Sequence, residues 1–568
     1  MSSKRTRAFV YSVLAFFALA IVAEPVVAQN MPREDTLIVR AGRKFGAPEL
    51  YNPYLAGHRG ETGNWWMAEN LFYMNLYQGE IVPWLGTSFE YGPNHDSITI
   101  KLREGVTWND GEEFNADDVV FTYNMLKENA PTLRWSGWID EWMTEVRAED
   151  SHTVFIKLKE PHTRAHYSFL IGLWVPPIVP EHVWSKEDPT TFKNYPNPVW
   201  TGPYTLVDTS AEAVSWVRRD DYWAKDVMGE FPGAEFLLVT GPGPAEKMMI
   251  EQIEHRMDVW SGFTKSQYET VVKRNDDIDL WVALDPCTRA LWFNIQRPPL
   301  DQREVRWAIS YAINKNKLNF AAFEGVTRTS KLPYPYYGTI TPYLEDWKEM
   351  LEKYNTEEYD PERAVEMLED LGFEKGRDGI YVTPDGIRLS WIIISPPWSG
   401  HREMAQSISE DLKAIGVDAS WKVLEPAPHG EAWRRNDYDM NVAWACAQGL
   451  GQAWDPYAWL EGFHSKYALP EGESADQNRI RYSNPEYDAL LDELTALLPD
   501  DPRADEVLAQ AQEIYMRDLP VIGTLQTVTS NTYDTLHWKG FPSEDDPYIT
   551  PFHWWPHFLF TLLNVEPQ

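Results

Sequence analysis

The pattern of polar and apolar positions predicts strands and helices in several parts of the chain. Apolar and polar residues alternate over Ser97–Leu102, as in a half-buried strand. A helix is predicted from Asn115, whose side chain can cap the first free amides, while Asp117 and Asp118 lie favourably in the positive first turn. Apolar spacings of three and four residues over Val305–Ala312 predict a second helix with one buried face.

Strand and helix signals alternate regularly in the later part of the chain. Asp360-Pro361 predicts a helix start, with a cap followed by proline at the first helical position, and Gly372 predicts its end. From residue 389 the predicted order is strand Leu389–Ile394, helix Arg402–Ile415, strand Val417–Leu424, a short helix and strand Met440–Ala445. Right-handed crossovers would make this βαβαβ unit a mostly parallel sheet. The alternation continues over most of the chain and predicts the α/β class.

The N-terminus has the features of an export signal. Lys4, Arg5 and Arg7 precede an apolar run, residues 8–23, and a small-residue exit ending at Ala28. The apolar run is shorter than the roughly 20 residues that a spanning helix needs. We therefore expect a signal peptide over residues 1–28, cleaved near Ala28, and a mature chain located in the periplasm.

The charge excludes one class of partner. There are 86 acidic and 51 basic residues, which give a net charge of −35. Such a surface repels nucleic acid and anionic membranes, so we expect no nucleic-acid partner. Solubility or a saline habitat is sufficient to explain the excess of acids.

Short motifs for catalysis are missing from the sequence. The thirteen histidines form no His-Glu-x-x-His pair, and no Gly-x-Ser-x-Gly elbow occurs. The run Gly241-Pro242-Gly243-Pro244 is too stiff for a phosphate loop and contains no lysine. We expect no enzyme activity, no cofactor and no metal. A secreted glycosidase stays open as a distant alternative, because its paired carboxylates leave no short motif.

Several segments together resemble one family. They are Leu102–Gly111, Phe114–Phe121, Thr201–Tyr204, Phe293–Ile295, Pro299–Ile309, Tyr359–Ala364 and Tyr482–Asp488. In this order they are similar to the peptide/nickel/oligosaccharide class (family 5) of extracellular solute-binding proteins, the receptors of ABC importers. Turn and cap chemistry accounts for most of these residues, so they indicate architecture rather than a binding site.

The resemblance implies a periplasmic binding protein-like α/β fold of class II, with two lobes, a hinge, a large inter-lobe cleft and an extra subdomain. The expected division is 29–80 for the first part of lobe I, 81–199 for its extra subdomain, 200–290 for its second part, 291–534 for lobe II and 535–568 for a C-terminal return to lobe I. The expected partners are an ABC importer permease and ATPase complex at the inner membrane and a small-molecule oligosaccharide or peptide. The protein itself is expected to be a monomer.

The resemblance also gives a role to the only two cysteines, Cys287 and Cys446. Some peptide-binding members carry a disulfide at matching positions, and an exported chain meets an oxidising compartment. We expect a Cys287–Cys446 disulfide. Two buried free cysteines are the alternative.

The residues after Cys446 bear on the ligand. Peptide-binding relatives hold the ligand's amino group with an aspartate shortly after the second cysteine. Counting forward from Cys446 places Gln448 there, and counting back from Asp455-Pro456 places Gln452 there. A neutral amide hydrogen-bonds hydroxyls but cannot offset a buried ammonium. Asp455 remains an alternative anchor.

Aromatic residues are unusually abundant, with 27 tryptophans and 28 tyrosines. An indole offers an apolar face and one N–H, which suits a sugar ring. The expected ligand-binding residues at the cleft, besides the glutamines and Asp455, are Trp65, Trp66, Trp260, Asn294, Trp398, Trp433, Trp444, Trp454 and Trp459. Trp398 is favoured, because it follows a strand and precedes a helix. We therefore predict an oligosaccharide ligand, with an oligopeptide as the alternative.

Overall fold

A computed structural model describes residues 31–42, 45–229, 231–398, 400–446 and 453–568. The predicted signal peptide and both predicted site glutamines, Gln448 and Gln452, lie outside the described residues. No helix in the described ranges combines the length and the apolar character needed to cross a membrane.

The strands are numbered here in chain order. They are β1 (Thr36–Arg40), β2 (Phe72–Asn75), β3 (Glu80–Pro83), β4 (Gly86–Tyr91), β5 (Ser97–Leu102), β6 (Met143–Asp150), β7 (Thr153–Leu158), β8 (Tyr204–Thr209), β9 (Ala213–Arg218), β10 (Phe236–Thr240), β11 (Val259–Ser261), β12 (Ile278–Leu284), β13 (Thr288–Phe293), β14 (Arg328–Thr329), β15 (Glu374–Lys375), β16 (Tyr381–Val382), β17 (Ser390–Ser395), β18 (Asp418–Val423), β19 (Met440–Ala445), β20 (Val521–Gln526), β21 (Val528–Asp534), β22 (Trp538–Lys539) and β23 (Glu566–Pro567).

The α-helices are numbered in the same way. They are α1 (Asn64–Met67), α2 (Ala116–Glu128), α3 (Ser136–Trp142), α4 (His166–Phe169), α5 (Glu181–Trp184), α6 (Lys225–Met228), α7 (Ala245–Ile253), α8 (Lys265–Arg274), α9 (Arg303–Ala312), α10 (Lys315–Phe323), α11 (Thr341–Asp346), α12 (Lys348–Lys353), α13 (Pro361–Asp370), α14 (His401–Ala414), α15 (Pro426–Arg435), α16 (Pro456–Glu461), α17 (Pro485–Ala496), α18 (Pro502–Asp518) and α19 (Phe558–Asn564).

Two large sheets define two lobes. The first lobe contains a seven-stranded sheet in the order β12-β21-β11-β1-β10-β9-β8, and the second contains a six-stranded sheet in the order β14-β20-β13-β19-β17-β18. The four-stranded sheet β4-β5-β7-β6 is antiparallel throughout and is inserted between β1 and β8 in the chain. Mixed α/β structure in two lobes agrees with the predicted fold class.

The chain passes between the lobes twice. It leaves the seven-stranded sheet after Leu284 and enters the six-stranded sheet at Thr288, and it returns between Gln526 and Val528. Strand β21 therefore belongs to the seven-stranded sheet. Two short, neighbouring connections of this kind are suited to a hinge. The domain limits expected from the sequence, including 291 and 534, stay predictions.

The local predictions from hydrophobic period and capping largely agree with the structure. Strand β5 has the predicted limits, and the Asn115 side chain accepts a hydrogen bond from the Asp117 amide at the start of α2. Asp360 caps α13 by accepting from the Arg363 amide. These elements are recognisable because their signals are local, within three or four residues.

The parallel arrangement predicted for the βαβαβ unit of the second lobe is confirmed, but the whole six-stranded sheet is mixed. Strands β17, β18 and β19 are parallel to one another, as the βαβαβ unit requires. However, β13 pairs antiparallel with both β19 and β20, and β14 pairs antiparallel with β20. Strand β13 follows the first inter-lobe connection and β20 precedes the second, so the crossover rule does not set their direction.

The C-terminal segment packs into the first lobe. Phe558 of α19 is fully buried, and its ring centroid lies 4.8 Å from that of Trp66. The Trp66 indole N–H donates to the His553 carbonyl at 3.0 Å. The end of the chain therefore completes the core around α1.

Candidate functional site

A cavity of about 810 Å³ lies between the two lobes. The first lobe lines it with Tyr54, Arg134, Trp135, Trp138 and Trp174, and the second lobe lines it with Trp292, Trp459, Phe463, Gln477 and Arg479. Both cysteines line it too. Its position between lobes joined by two short connections makes it the candidate ligand site.

The first-lobe wall consists of Trp65, Arg134, Trp135 and Trp174. The Trp65 ring packs edge-on against Trp135 at 5.9 Å and against Trp174 at 5.1 Å between centroids. The Arg134 guanidinium carbon lies 4.3 Å from the Trp135 centroid and 4.5 Å from that of Trp174. These contacts fix two indoles at the cavity, with Trp65 behind them.

The backbone at Trp135 is strained. This residue has φ 64° and ψ −9°, a left-handed conformation that a bulky side chain rarely adopts. It directly precedes α3, so the chain turns sharply there. Strain of this kind persists only where surrounding packing enforces it and is often found at ligand sites.

The second-lobe wall consists of Trp292, Trp459 and Phe463, each at most 5% exposed, and Trp433 lies behind them, outside the cavity lining. The Trp292 centroid lies 5.2 Å from Trp433, 5.7 Å from Trp459 and 6.0 Å from Phe463. Strand β13 carries Trp292, and α15 and α16 carry Trp433 and Trp459. The cavity thus has aromatic groups on both sides.

The cavity also contains the disulfide and a neutral amide. Cys287 and Cys446 are bonded to each other in the structure, the pairing that the family resemblance implies. Thr288 pairs with Ala445 in register, so both cysteines lie at the same edge of the six-stranded sheet. The Gln477 side chain lines the cavity and makes no hydrogen bond within the described part of the chain.

The lobes are in contact beside the cavity, through residues after β7 and residues around α16 and α17. Arg164 Nε donates to Asp455 Oδ2 at 2.9 Å, and both side chains are almost completely buried. Arg164 Nη1 also donates to the carbonyls of Leu494 and Leu497, each at 2.9 Å. Thr163 donates its amide to the Thr495 carbonyl at 2.9 Å. These contacts join the segment after β7, the last strand of the inserted four-stranded sheet, to the second lobe.

Asp455 is therefore fully engaged. One of its carboxylate oxygens pairs with Arg164. The other accepts a hydrogen bond from the Tyr457 amide at 2.8 Å and caps α16. Asp455 is 4% exposed and does not line the cavity. The ion pair with Arg164 and the cap of α16 explain why an acidic residue precedes Pro456.

The remaining predicted residues occupy three kinds of position. Trp66 and Asn294 are fully buried, and Asn294 exchanges hydrogen bonds with Asn436, so neither reaches the cavity. Trp260 packs against Phe263 and His553 in the first lobe. Trp454 is half-buried and contacts the core cluster of the first lobe.

Trp398 and Trp444 are together at one sheet edge. Their ring centroids are 4.7 Å apart, and Trp444 also contacts His401 at 4.6 Å. Trp398 follows β17 and Trp444 lies near the end of the parallel strand β19, the edge that carries Cys446. Neither lines the cavity itself, whereas Trp459 does.

The sequence reasoning missed most of the cavity residues. Arg134 and Trp135 directly precede α3, and Trp138 lies in its first turn, so this short aromatic run was an available signal. Trp292 lies within a strand and carries no local signal that distinguishes it from a core residue. In the described ranges, no three His, Cys, Asp or Glu side chains group in a way that could hold a metal ion.

Comparison with known proteins identifies the family. The model of "Bacterial extracellular solute-binding proteins, family 5 Middle" matches residues 80–468. The chain belongs to family 5 of the bacterial extracellular solute-binding proteins. Members of this family are solute-binding components of ABC importers, located in the periplasm or outside the cell, and work with permease and ATPase components.

Relatives within family 5 match over most of the chain. The dipeptide-binding protein of Escherichia coli (strain K12) is 26% identical over 66% of this chain and 69% of its own length. Heme-binding protein A of Haemophilus influenzae is 24% identical over 79% of both chains.

A solved family 5 structure covers nearly the whole chain. It is the periplasmic oligopeptide-binding protein of an oligopeptide ABC transporter from Thermotoga maritima, with a TM-score of 0.82 at 25% identity over 94% of this chain and 100% of that one. The same protein with bound mannohexaose gives a TM-score of 0.79 at 25% identity over 95% and 99%.

Proposed function

We propose that this family 5 protein binds an oligosaccharide in the inter-lobe cavity and delivers it to the permease of an ABC importer. The observation that carries the proposal is the pair of facing walls, each built of indole rings around one cavity. Flat apolar faces suit the C–H face of a sugar ring, and an indole N–H or the Gln477 amide suits its hydroxyls.

The size of the cavity supports a small ligand. At about 810 Å³ it lies within the range of roughly 300–1,000 Å³ that is usual for small-molecule pockets. A short oligosaccharide of a few rings fits such a volume. We propose Trp135, Trp174, Trp292 and Trp459 as the ring-contacting residues.

Asp455, the remaining candidate anchor for the amino group of an oligopeptide, is not free to hold it. A buried ammonium needs a carboxylate that is free to pair with it. Asp455 already pairs with Arg164 and caps a helix. The mannohexaose bound to the Thermotoga maritima relative supports the idea that this architecture accommodates sugars.

Titration calorimetry tests the proposal. The mature protein is titrated with oligosaccharides of three to six rings and, in parallel, with mixed di- to hexapeptides. We expect micromolar or tighter binding, about −8 kcal/mol or below, for at least one oligosaccharide and no heat from peptides. Peptide binding without any sugar binding contradicts the proposal.

We also propose that the protein is not an enzyme. A glycosidase would shorten an oligosaccharide that it binds, using two carboxylates on either side of the bond. We expect the bound oligosaccharide to be recovered intact after prolonged incubation with the protein, as measured by chromatography of the reducing ends. Release of shorter sugars would identify a secreted glycosidase instead.

A further inference from the structure

The charges that line the cavity differ in sign from those of the whole protein. The chain as a whole has a net charge of −35. Among the described residues that line the cavity there are three arginines, Arg134, Arg434 and Arg479, against two acids, Glu461 and Asp476. A positive local balance within a strongly acidic protein requires an explanation.

Two of these five charged groups, Arg434 and Glu461, have polar partners among neighbouring residues. Arg434 Nη2 donates to Glu431 at 3.0 Å, and its Nε donates to Ser474 at 3.2 Å. Glu461 accepts from the Tyr467 hydroxyl at 3.0 Å and lies 3.4 Å from the Lys466 ammonium. Arg479 and Asp476 remain on the second-lobe side. On the first-lobe side, the Arg134 guanidinium lies against the Trp135 and Trp174 rings.

Arg479 has the features of a ligand-binding cation. Its guanidinium carbon lies 4.1 Å from the Trp433 ring centroid, which fixes the plane of the group. Its Nε donates to the Asp476 carbonyl at 3.0 Å, and in the described part of the chain no carboxylate forms an ion pair with it. Burial lowers the pKa of Arg479, and the nearby Asp476 charge only partly offsets this effect. A partly desolvated cation without an ion-pair partner is costly, and a ligand carboxylate would relieve the cost.

We propose that the cavity takes an acidic oligosaccharide, one whose rings carry carboxylates, and that Arg479 pairs with one of these carboxylates while the aromatic walls contact the rings. This inference rests on the proposed oligosaccharide function. The planar guanidinium is suited to bidentate pairing with a carboxylate. Arg134, held over Trp135 and Trp174 on the opposite side, adds positive potential along the same cavity.

The acidic surface of the protein does not prevent such binding. At physiological ionic strength the Debye length is about 8 Å, so distant surface acids are largely screened. A half-buried guanidinium in contact with the ligand is screened much less. The contact pair therefore decides affinity, whereas the surface charge mainly affects the rate of encounter.

Paired sugars test the inference by calorimetry on the mature protein. Tetramers of galacturonate, glucuronate, mannuronate and guluronate are each compared with the tetramer whose carboxyl groups have been reduced to alcohols. We expect at least one acid to bind roughly tenfold or more tightly than its reduced form, as a charge-assisted hydrogen bond provides.

Variants show whether Arg479 is responsible. Arg479→Gln should remove the preference for the acid, and Arg479→Lys should keep part of it. Arg363→Gln is the matched control and should leave the preference unchanged, because the Arg363 guanidinium carbon also lies 4.1 Å from an aromatic centroid, that of Tyr311, but Arg363 does not line the cavity. If Arg479 only supports Trp433, its loss weakens acidic and neutral tetramers equally, and the inference is overturned.

Failure of the acidic-ligand inference can be distinguished from failure of the oligosaccharide function. Equal or tighter binding of the neutral tetramers overturns the acidic-ligand inference and leaves the oligosaccharide function in place. Binding of peptides with no sugar binding overturns both.

Discussion

At the scale of single residues, Trp174 is the half-exposed member of the first-lobe wall, so its ring has a face to offer a ligand. We predict that Trp174→Ala weakens oligosaccharide binding by about 2 kcal/mol, typical of an aromatic residue central to an interface. Calorimetry measures the effect. Trp421→Ala, at a 39% exposed tryptophan of the edge strand β18, is the control and should bind as the wild type does.

The buried histidines make the first lobe sensitive to acid. Burial lowers the pKa of His557 to about 3, and its Nε2 accepts a hydrogen bond from the Met74 amide. Between pH 6.5 and 3 the unfolded chain binds a proton there that the folded chain does not. Stability from this site is therefore complete above pH 6.5 and is lost as the pH falls towards 3.

We predict that His557→Gln, which keeps an acceptor for Met74, makes the unfolding free energy less dependent on pH between 6.5 and 4. The slope should fall by up to about 1.4 kcal/mol per pH unit. Denaturant titrations at several pH values measure it. Identical slopes for the variant and the wild type would show that the histidine is protonated in the folded state.

Residue roles were the least predictable property from sequence. An abundance of tryptophan predicted aromatic contacts, but Trp66 and Trp459 are both almost completely buried, and of the two only Trp459 borders the cavity. Asn294 follows a strand, as a ligand-binding residue can, yet it is buried against Asn436. Only packing between distant segments separates these cases.

At the scale of elements, the cap of α16 also connects the lobes. We predict that Asp455→Asn, which can still cap the helix, weakens ligand affinity about tenfold or more by removing the charge that pairs with Arg164 between the lobes. Affinity is measured by calorimetry and the open fraction by X-ray scattering. Asp501→Asn, the same change at the cap of α18, is the control. Unchanged affinity would mean that the pair does not favour closure.

The C-terminal helix is the second element with a clear energetic role. We predict that Phe558→Ala destabilises the first lobe by about 3–5 kcal/mol, because it leaves a cavity beside Trp66. Thermal unfolding measures the shift. Phe320→Ala, at a 72% exposed phenylalanine, should change stability by less than about 0.5 kcal/mol. Equal effects would show that α19 contributes little to the core.

Elements were predictable where their signals are local. The caps of α2 and α13 and the strands β5 and β19 could be read directly from capping residues and hydrophobic period. The direction of β13 and β20 could not, because it depends on how the chain enters the second lobe from the first. The rule for crossovers applies within a βαβ unit and not beyond it.

At the scale of the whole molecule, the family motifs predicted two lobes and the structure has them. Most of the cavity lining comes from within residues 54–58, 131–138 and 458–479, which are far apart in the chain. Their meeting depends on how the lobes close, and no periodicity or motif records that arrangement. The sequence therefore predicts the architecture much better than it predicts the site.

The central claim is that a sugar binds between the two aromatic walls, and a crystal structure with the tightest-binding oligosaccharide tests it directly. We expect sugar rings inside the cavity, in van der Waals contact with Trp174 on one side and Trp459 on the other. A ligand bound outside this cavity, with both walls uncontacted, would contradict it.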